Sequence, residues 1–302
     1  MVSMPREFPI YVPLLFYMVK RDSNRMHNRS TRYLFPAMFL FLVLFSSCEG
    51  DDPSVNAGRL RVKLTDAADI SIKELYLDIR ELAVYATDTT GMEGEWVTLE
   101  YNGGQYNLLQ LLNEKSVQLV DQYFPAGKTI RRVRLVLGHD NRFVTFTEKP
   151  YPLQLPPEII EGVVVDLKEP IPIMPHIIAG LTIDVNAALS IRESNGNYFL
   201  NPSARAFPEA YGASLRGSVA PPNAAAFVAI MQHPDTLFTL PESDGKFGFP
   251  GLQKGEWEVF IKAAEGSLYA DTAFVWDIDT TGVVNKSSIT LPLSNATPPP
   301  SE

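Results

Sequence analysis

Cys48 is the only cysteine of the chain, and it directly follows an apolar run that begins at Tyr33. Arg29 and Arg32 precede this run, and two serines lie between the run and the cysteine. A charged start, an apolar core of about 7–15 residues and small residues at the cleavage point make up a secretory signal. The pattern predicts a bacterial lipoprotein signal in which the thiol of Cys48 receives the lipid. The alternatives are a plain membrane anchor and an ordinary signal peptide with a chance cysteine.

The predicted signal defines the mature protein. The signal occupies residues 1–47, and residues 1–25 fit no signal pattern, which points to Met26 as the true start. An acidic linker, 48–57, follows. Its tract Glu49–Asp52 resembles the export signal of lipoproteins that reach the outer face of the outer membrane. We therefore expect an outer-membrane lipoprotein at the cell surface, with a periplasm-facing location and a simple solvated linker as alternatives.

The charge of the mature chain limits its partners. The whole chain has 26 basic and 35 acidic residues, and residues 1–47 hold six of the basic and two of the acidic ones. The remainder therefore has 20 basic and 33 acidic residues, a net charge of −13. Nucleic-acid phosphates require a basic surface, so this balance argues against nucleic acid as a partner. It also argues against direct binding to anionic lipid.

Two aspartates are the candidate ligands for a metal. Asp66 follows the first predicted strand, and Asp184 lies within a later one. If the sheet brought both together they could bind calcium, which takes several oxygen ligands. The alternative is that Asp66 caps a turn and Asp184 faces solvent. The mature histidines lie far apart in sequence without a zinc-type pair, so we expect no other metal and no cofactor.

Aromatic side chains are the candidate platforms for sugars, because sugars bind proteins by stacking and apolar contact. The candidates are Trp96, Trp257, Trp276, Tyr211 and Tyr269. Trp257 falls in the inward register of its strand, which predicts a core position. Trp276 ends a strand next to a charged residue, so it is the candidate for an exposed glycan contact.

The spacing of apolar residues predicts an all-β fold with a few short helical turns. Leu60, Val62 and Leu64 alternate with basic residues, which indicates a half-buried strand, and a one-residue slip before Leu82 predicts a β-bulge. Residues 106–112 have helix-compatible spacing, which predicts a short helix or a turn, and a further helical turn is expected around 117–123. Turn residues at regular intervals predict two sandwich-like domains. The domain boundaries predicted are 58–207 for the first, 211–294 for the second and 295–302 for a disordered tail.

The first of these domains contains a set of short motifs in a fixed order. They are Gly58–Ala67, Trp96–Leu99, Tyr106–Leu109, Pro125–Gly127, Arg134–Gly138, Tyr151–Leu153 and Leu200–Pro202. In this order they resemble domain-of-unknown-function family 4382, a β-rich domain of bacterial lipoproteins, over about residues 57–207. Ala68 stands where the family usually has proline. No catalytic activity is established for that family, so the resemblance implies an architecture and not a reaction.

The second domain has the turn chemistry of a small sandwich. Asp244 and Gly245 supply a tight hairpin, and Gly251 and Gly255 bracket a further turn. With Gly217–Val219, these segments resemble carboxypeptidase-regulatory-like and related transthyretin- or starch-binding-like domains over about 211–294. The resemblance implies a fold and leaves the ligand open.

We find no motif for catalysis in the sequence, neither a Gly-x-Ser-x-Gly elbow nor a Ser-x-x-Lys motif with its partner signatures. The sequence therefore predicts a non-enzymatic, lipid-anchored envelope or surface protein that binds a carbohydrate or an envelope partner protein. The alternative is a pilin-like or adhesin-accessory structural subunit that adds a strand to an open sheet edge. An unrecognised hydrolase is the remaining alternative.

Overall fold

A computed structural model describes residues 56–67, 71–88, 90–91 and 93–294. These residues are mostly in strands, which confirms the all-β prediction. One short helix, α1 (Ala187–Ser190), and two single 3₁₀ turns interrupt the strands of the described part. No helix there is long and apolar enough to cross a bilayer. Cys48, the signal segment 1–47 and the tail 295–302 lie outside the described residues.

The first thirteen strands form one hydrophobic core that runs from Leu60 to Ala206. Nine of them are ordered β5-β1-β10-β13-β9-β6-β2-β7-β8 in an 11-stranded sheet, in which β3 and β4 also pair with β2, while β11 and β12 form a separate pair. The strands are β1 (Ala57–Ala67), β2 (Glu74–Thr87), β3 (Gly94–Thr98), β4 (Gly104–Asn107), β5 (Val117–Pro125), β6 (Thr129–Leu137), β7 (Arg142–Val144), β8 (Pro150–Pro152), β9 (Val163–Pro172), β10 (Ile178–Asn186), β11 (Ile191–Ser194), β12 (Asn197–Leu200) and β13 (Ser203–Pro208).

The alternation read from the sequence sets the orientation of these strands. Leu60, Val62 and Leu64 are fully buried, and the basic residues between them point away from the core. The register of β2 against β6 shifts between Ile79 and Glu81, which confirms the predicted bulge. β1 pairs with β5 on one side and in parallel with β10 on the other.

A second hydrophobic core runs from Ala213 to Leu291. Its strands form two four-stranded sheets, β17-β14-β20 with β21 on β14, and β16-β15-β18-β19. The strands are β14 (Ala213–Ala220), β15 (Ala225–Gln232), β16 (Asp235–Thr239), β17 (Lys246–Leu252), β18 (Gly255–Ala263), β19 (Thr272–Ile278), β20 (Gly282–Asn285) and β21 (Ile289–Thr290). Trp257 is 1% exposed in this core, which confirms its predicted inward position.

The helical prediction over 117–123 is wrong. These residues belong to β5, which pairs antiparallel with β1 across eight residue pairs. The ladder with β1 outweighs the local apolar spacing, because pairing satisfies backbone groups that a short helix would leave open. In the other segment, 106–112, strand β4 is followed by a 3₁₀ turn at Leu108–Gln110, which corresponds to the predicted turn and not to a helix.

Candidate functional site

The register of β1 and β10 separates the two calcium candidates. Asp184 lies opposite Thr65, and Asp66 lies opposite Val185. Because side chains alternate along a strand, Asp66 and Asp184 point to opposite faces of the sheet. Among the described residues, no group of three or more acidic, histidine or cysteine side chains is placed to hold a metal. The sheet therefore does not bring the two carboxylates together as the calcium prediction requires.

Asp184 instead forms a buried ion pair with Arg205. Oδ2 of Asp184 lies 2.8 Å from Nε and 2.6 Å from Nη2 of Arg205, and both side chains are less than 10% exposed. Burial raises the pKa of the Asp184 carboxyl, and the guanidinium of Arg205 opposes that rise. The other carboxylate oxygen of Asp184, Oδ1, has no hydrogen-bond partner among the described residues. The carboxylate borders a cavity of about 70 Å³. A single carboxylate beside a guanidinium falls far short of the 6–8 oxygen ligands of calcium.

The same arginine joins the two sandwiches. Nη1 of Arg205 donates to the carbonyl of Gly251 at 2.8 Å, and Nη2 donates to that of Pro250 at 2.6 Å. Gly251 has a φ of +62°, and a Cβ there would lie 2.5 Å from the ring of Phe207. Glycine therefore allows the backbone of the second sandwich to approach the first. Arg205 is not among the site residues predicted from the sequence, although its strand carries it among small and apolar residues.

Other polar contacts reinforce this junction. Asn113 donates to the carbonyl of Leu240 at 2.9 Å, and its Oδ1 accepts a hydrogen bond from the Thr239 hydroxyl at 2.8 Å. Lys168 pairs with Asp235 at 2.8 Å. The two hydrophobic cores are thus joined by hydrogen bonds and ion pairs from several separate segments, as a permanent polar interface would be.

Trp276 has less free surface than the glycan prediction assumes. Its ring is partly buried and lies parallel to Phe247, with a centroid distance of 6.3 Å and an interplanar angle of 17°. Phe274 contacts it edge-on at 5.1 Å, and Nζ of Lys286 lies 5.8 Å from its centroid. Trp276 packs against the second core, so these neighbours occupy much of the ring that a sugar would need.

Trp96 lies on the outer face of the first sheet, where arginines cover it. Its ring packs edge-on against Tyr85 at 5.4 Å. The guanidinium of Arg132 lies 4.3 Å from the Tyr85 centroid, and that of Arg134 lies 4.9 Å from the Trp96 centroid. Such cation–π contacts satisfy the rings within the protein. We call these four residues the arginine-covered face.

The outer face of the sheet β16-β15-β18-β19 carries three phenylalanines beside charged residues such as Lys262, which lies opposite Phe227. Phe227, Phe238 and Phe260 are partly exposed there, with Phe227 6.1 Å and 6.0 Å from the other two rings. They do not belong to the second core, which lies on the other face of this sheet. Met231 and Val275 lie on the same face, one on each side of the exposed Glu258. We call these five residues the phenylalanine face.

An open cavity of about 450 Å³ adjoins one end of the phenylalanine face. Met231 and Val275 line it together with His233, Glu256 and Glu258. The histidine and both glutamates are exposed to solvent. Exposed carboxylates at the rim of an apolar surface can accept hydrogen bonds or attract a cation from a ligand.

The sequence contains a signal for this face in strand β15. Strand Ala225–Gln232 has apolar residues at both parities of its alternation, so both of its faces are apolar. A strand at the surface of a sandwich is expected to alternate between apolar and polar residues. An apolar run on both faces indicates either a fully covered strand or an exposed patch.

Three solved structures illustrate a remote similarity to this chain. The Bacillus anthracis TIE protein is 11% identical with a TM-score of 0.22, and the match covers 79% of this chain and 34% of that one. The shaft pilin spaA from Lactobacillus rhamnosus GG is 9% identical with a TM-score of 0.23, over 80% and 100% of the two chains. BcpA, the major pilin subunit of Bacillus cereus, is 8% identical with a TM-score of 0.22, over 79% and 71%. The chain thus spans about a third of the TIE protein, and TM-scores this low support no conclusion about function.

No curated protein matches the chain. Residues 57–202 match the model of a family described as Domain of unknown function (DUF4382). This segment includes the first twelve strands, from β1 to β12. The comparison therefore confirms, over residues 57–202, the family resemblance that the motifs of the first domain indicate.

Proposed function

We propose that this protein is a non-enzymatic, lipid-anchored binding protein of the cell envelope. Cys48 anchors it in the outer membrane, and the acidic tract after Cys48 supports display at the cell surface. The second sandwich, which resembles a transthyretin-like domain in sequence, binds an envelope partner protein through the phenylalanine face. The exposed aromatic cluster on that outer sheet face is the observation that carries the proposal.

The chemistry of the face favours a protein over a carbohydrate. The ring of Phe227 is inclined by 60° to that of Phe238 and by 55° to that of Phe260, so the three rings form no flat platform for a sugar. Phenylalanine also offers no hydroxyl or N–H group for sugar hydroxyls. Protein interfaces combine an aromatic and methionine-rich centre with a polar rim. Glu256 and Glu258 lie at one end of the phenylalanine face, beside Met231, and suit a partner that presents basic groups next to an apolar centre.

The test is photo-crosslinking in intact cells that carry the gene naturally. A photoreactive residue replaces Val275 on the phenylalanine face or, as a matched control, Val283 on the other sheet; both side chains are 54% exposed. We expect a discrete protein adduct from position 275 and none from position 283. The double substitution Phe227→Ser and Phe260→Ser should remove the adduct while leaving the melting temperature within a few degrees.

Two results would overturn the binding role of this face. Equal labelling at positions 275 and 283 would show that it makes no specific contact. An adduct that glycosidases digest would replace the partner protein by a carbohydrate.

A structural role by strand addition is the second candidate, and the edge strand β19 supports it. β19 pairs with β18 on one side, and the described residues place no strand on its other side. Its seven residues, Thr272–Ile278, contain neither lysine nor proline, and its register shows no bulge. Natural edge strands are usually protected by such features, because an open edge is a template for another strand. Lys286 occupies one carbonyl of this edge, that of Asp277, at 3.1 Å.

Analytical ultracentrifugation of the unlipidated mature chain tests strand addition. Ala273→Lys places a charge on the edge strand, and Ala226→Lys places one on an internal strand of the same sheet at an equally exposed position. We expect concentration-dependent oligomers that Ala273→Lys abolishes and Ala226→Lys retains. A monomer at every concentration would exclude this role for the isolated chain.

A further inference from the structure

We infer that the end of the first sandwich where the described chain begins docks onto the lipid bilayer. The surface consists of Tyr123, Met174, Ile177 and Ile178, which we call the anchor-side patch. The inference rests on the proposed anchor at Cys48 and adds an orientation of the body on the membrane. The surface that the anchor-side patch contacts is a phospholipid bilayer.

The patch consists of exposed apolar side chains on both sides of Arg59. Tyr123, Met174, Ile177 and Ile178 are 53%, 51%, 50% and 51% exposed, and they are four of the twelve exposed large apolar side chains among the described residues. Arg59 of β1 lies opposite Tyr123 on β5 and opposite Ile178 on β10. Paired residues of neighbouring strands share a face, and strands are about 4.8 Å apart. Tyr123 and Ile178 therefore flank Arg59 at about 10 Å from each other.

The patch surrounds the first described residues of the chain. The backbone N–H of His176 donates to the carbonyl of Ala57 at 2.9 Å, and that of Arg59 donates to the carbonyl of Ile177 at 2.9 Å. The N–H of Ala126 donates to the carbonyl of Asn56 at 3.2 Å. Asn56 and Ala57, the first described residues, therefore lie beside the segment that carries Met174, Ile177 and Ile178.

The length of that segment brings the patch within reach of the bilayer. Nine residue steps separate Cys48 from Ala57, which span at most about 32 Å when fully extended. β1 then runs for 11 residues away from this end, a distance of about 33 Å. The junction with the second sandwich lies at the far end of β1, near Thr65 and Asp184. Docking at the near end would thus place the junction with the second sandwich at the end of β1 that is remote from the lipid.

The charges around the patch favour insertion of apolar groups over electrostatic attraction. Arg59 is paired with Asp121, and Lys128 lies 3.4 Å from Glu95. His176 is exposed beside the patch, and the linker 48–57 that precedes β1 is acidic. A basic surface would be needed to attract anionic headgroups. Tyrosine and aliphatic side chains instead suit the boundary between headgroups and acyl chains, so we expect docking that is insensitive to salt.

The experiment measures the depth of a fluorophore in a chain with an artificial tether. The mature chain carries a histidine tag in place of Cys48 and binds vesicles of phosphatidylethanolamine and phosphatidylglycerol that contain a nickel-chelating lipid. A single cysteine is introduced as Ile178→Cys in the patch or, as the control, as Val283→Cys, and each is labelled with an environment-sensitive fluorophore. Spin-labelled lipids then quench fluorophores that lie near the bilayer.

We expect quenching at position 178 to exceed that at position 283 by at least threefold and to be equal at low and high salt. Tyr123→Ser with Ile177→Ser should bring quenching at 178 down to the control level, with an unchanged melting temperature. Equal quenching at both positions would overturn the inference. Equal quenching together with a concentration-dependent dimer would assign the patch to a second copy of the chain.

The artificial tether separates this inference from the proposed anchor. Mass spectrometry of the naturally expressed protein shows whether Cys48 carries a lipid. An unmodified Cys48 would refute the anchor, whereas the quenching result decides whether the patch contacts lipid when the chain is held at a membrane from that end.

Discussion

The two sandwiches both carry aromatic rings on an outer sheet face, but the side chains that surround these rings differ. On the arginine-covered face, guanidinium groups lie within 5 Å of the Tyr85 and Trp96 centroids. On the phenylalanine face, no lysine or arginine of the described residues stacks on the three rings, which contact one another instead. The rings of the first face are covered by arginine side chains of the same protein. The second retains apolar area, and exposed apolar patches of this kind mark interaction sites.

The charges of the two faces differ in the same way. Arg134 lies 3.6 Å from Glu81, and Arg132 lies 3.8 Å from Asp166, so the arginines of the first face have carboxylates beside them. In the second sandwich the glutamates beside the phenylalanine face are exposed at the rim of an open cavity. The comparison indicates that the aromatic and charged groups of the second sandwich are open to a partner, whereas those of the first are already paired within the protein.

The largest effect is expected at the buried junction that holds the two faces in one body. Asp184→Ala leaves the charge of Arg205 buried without its carboxylate, which should lower the free energy of unfolding by about 3–5 kcal/mol. Asp166→Ala removes a carboxylate that is 88% exposed beside Arg132 and should cost less than about 1 kcal/mol. Urea denaturation measures both.

A double substitution distinguishes lost pairing from a general loss of packing. Asp184→Leu with Arg205→Met replaces both charges by apolar groups and should restore much of the stability that Asp184→Ala loses. An equal, small loss for Asp184→Ala and Asp166→Ala would show that the junction contributes little to the fold.

The next largest effect on stability is expected when both arginines of the arginine-covered face are removed, which leaves its rings as open as those of the phenylalanine face. Arg132→Ala with Arg134→Ala should lower the free energy of unfolding by about 1–2 kcal/mol, because two cation–π contacts of about 0.5–1 kcal/mol each are lost. Binding of the dye ANS should increase as Tyr85 and Trp96 become accessible. Arg192→Ala with Lys254→Ala removes two exposed cations elsewhere and should change neither quantity. Unchanged dye binding in the first variant would contradict the idea that the arginines cover these rings.

A smaller effect on stability is expected for the phenylalanine face. Phe260→Ser should cost about 0.5–1 kcal/mol, the value of an aromatic contact, and should reduce ANS binding. Phe274→Ser, on the inner face of the neighbouring strand, should cost at least twice as much because Phe274 packs on the second core. Thermal unfolding and dye titration measure the pair. If Phe260→Ser were as damaging as Phe274→Ser, the outer cluster would be part of the core.

Strand periodicity was the part of the fold that the sequence revealed best. The alternation of Leu60, Val62 and Leu64 with basic residues, and the slip before Leu82, depend only on neighbouring residues. The β5 segment was predicted wrongly because its conformation depends on pairing with β1, more than fifty residues earlier. Local spacing contains no information about such a partner.

The candidate sites were harder to predict for the same reason. Asp184 is predicted as a calcium ligand or a solvent-exposed residue, whereas the structure buries it against Arg205. The two meet only through the register of β10 with β13, and Arg205 meets the carbonyls of Pro250 and Gly251 only at the junction. The phenylalanine face was present as an apolar run in β15. Which of its two faces is open depends on the position of the opposing sheet, which the sequence does not specify.

The smallest effect concerns the hairpin turn that aligns Tyr85 with Trp96. Oδ1 of Asp88 accepts hydrogen bonds from the Thr90 hydroxyl at 2.7 Å, the Gly91 N–H at 2.9 Å and the Thr90 N–H at 3.0 Å. The Thr90 hydroxyl is the main cause that lowers the pKa of Asp88 below its usual value of 3.8. A carboxyl whose pKa falls on folding stabilises the fold above its unfolded pKa, and this contribution is lost as the pH drops through the folded pKa. Proton NMR should therefore show the Gly91 amide shifting only below about pH 4. The stability difference between the native chain and Asp88→Asn should shrink over the same range, and a difference independent of pH would show that the charge of Asp88 does not hold this turn.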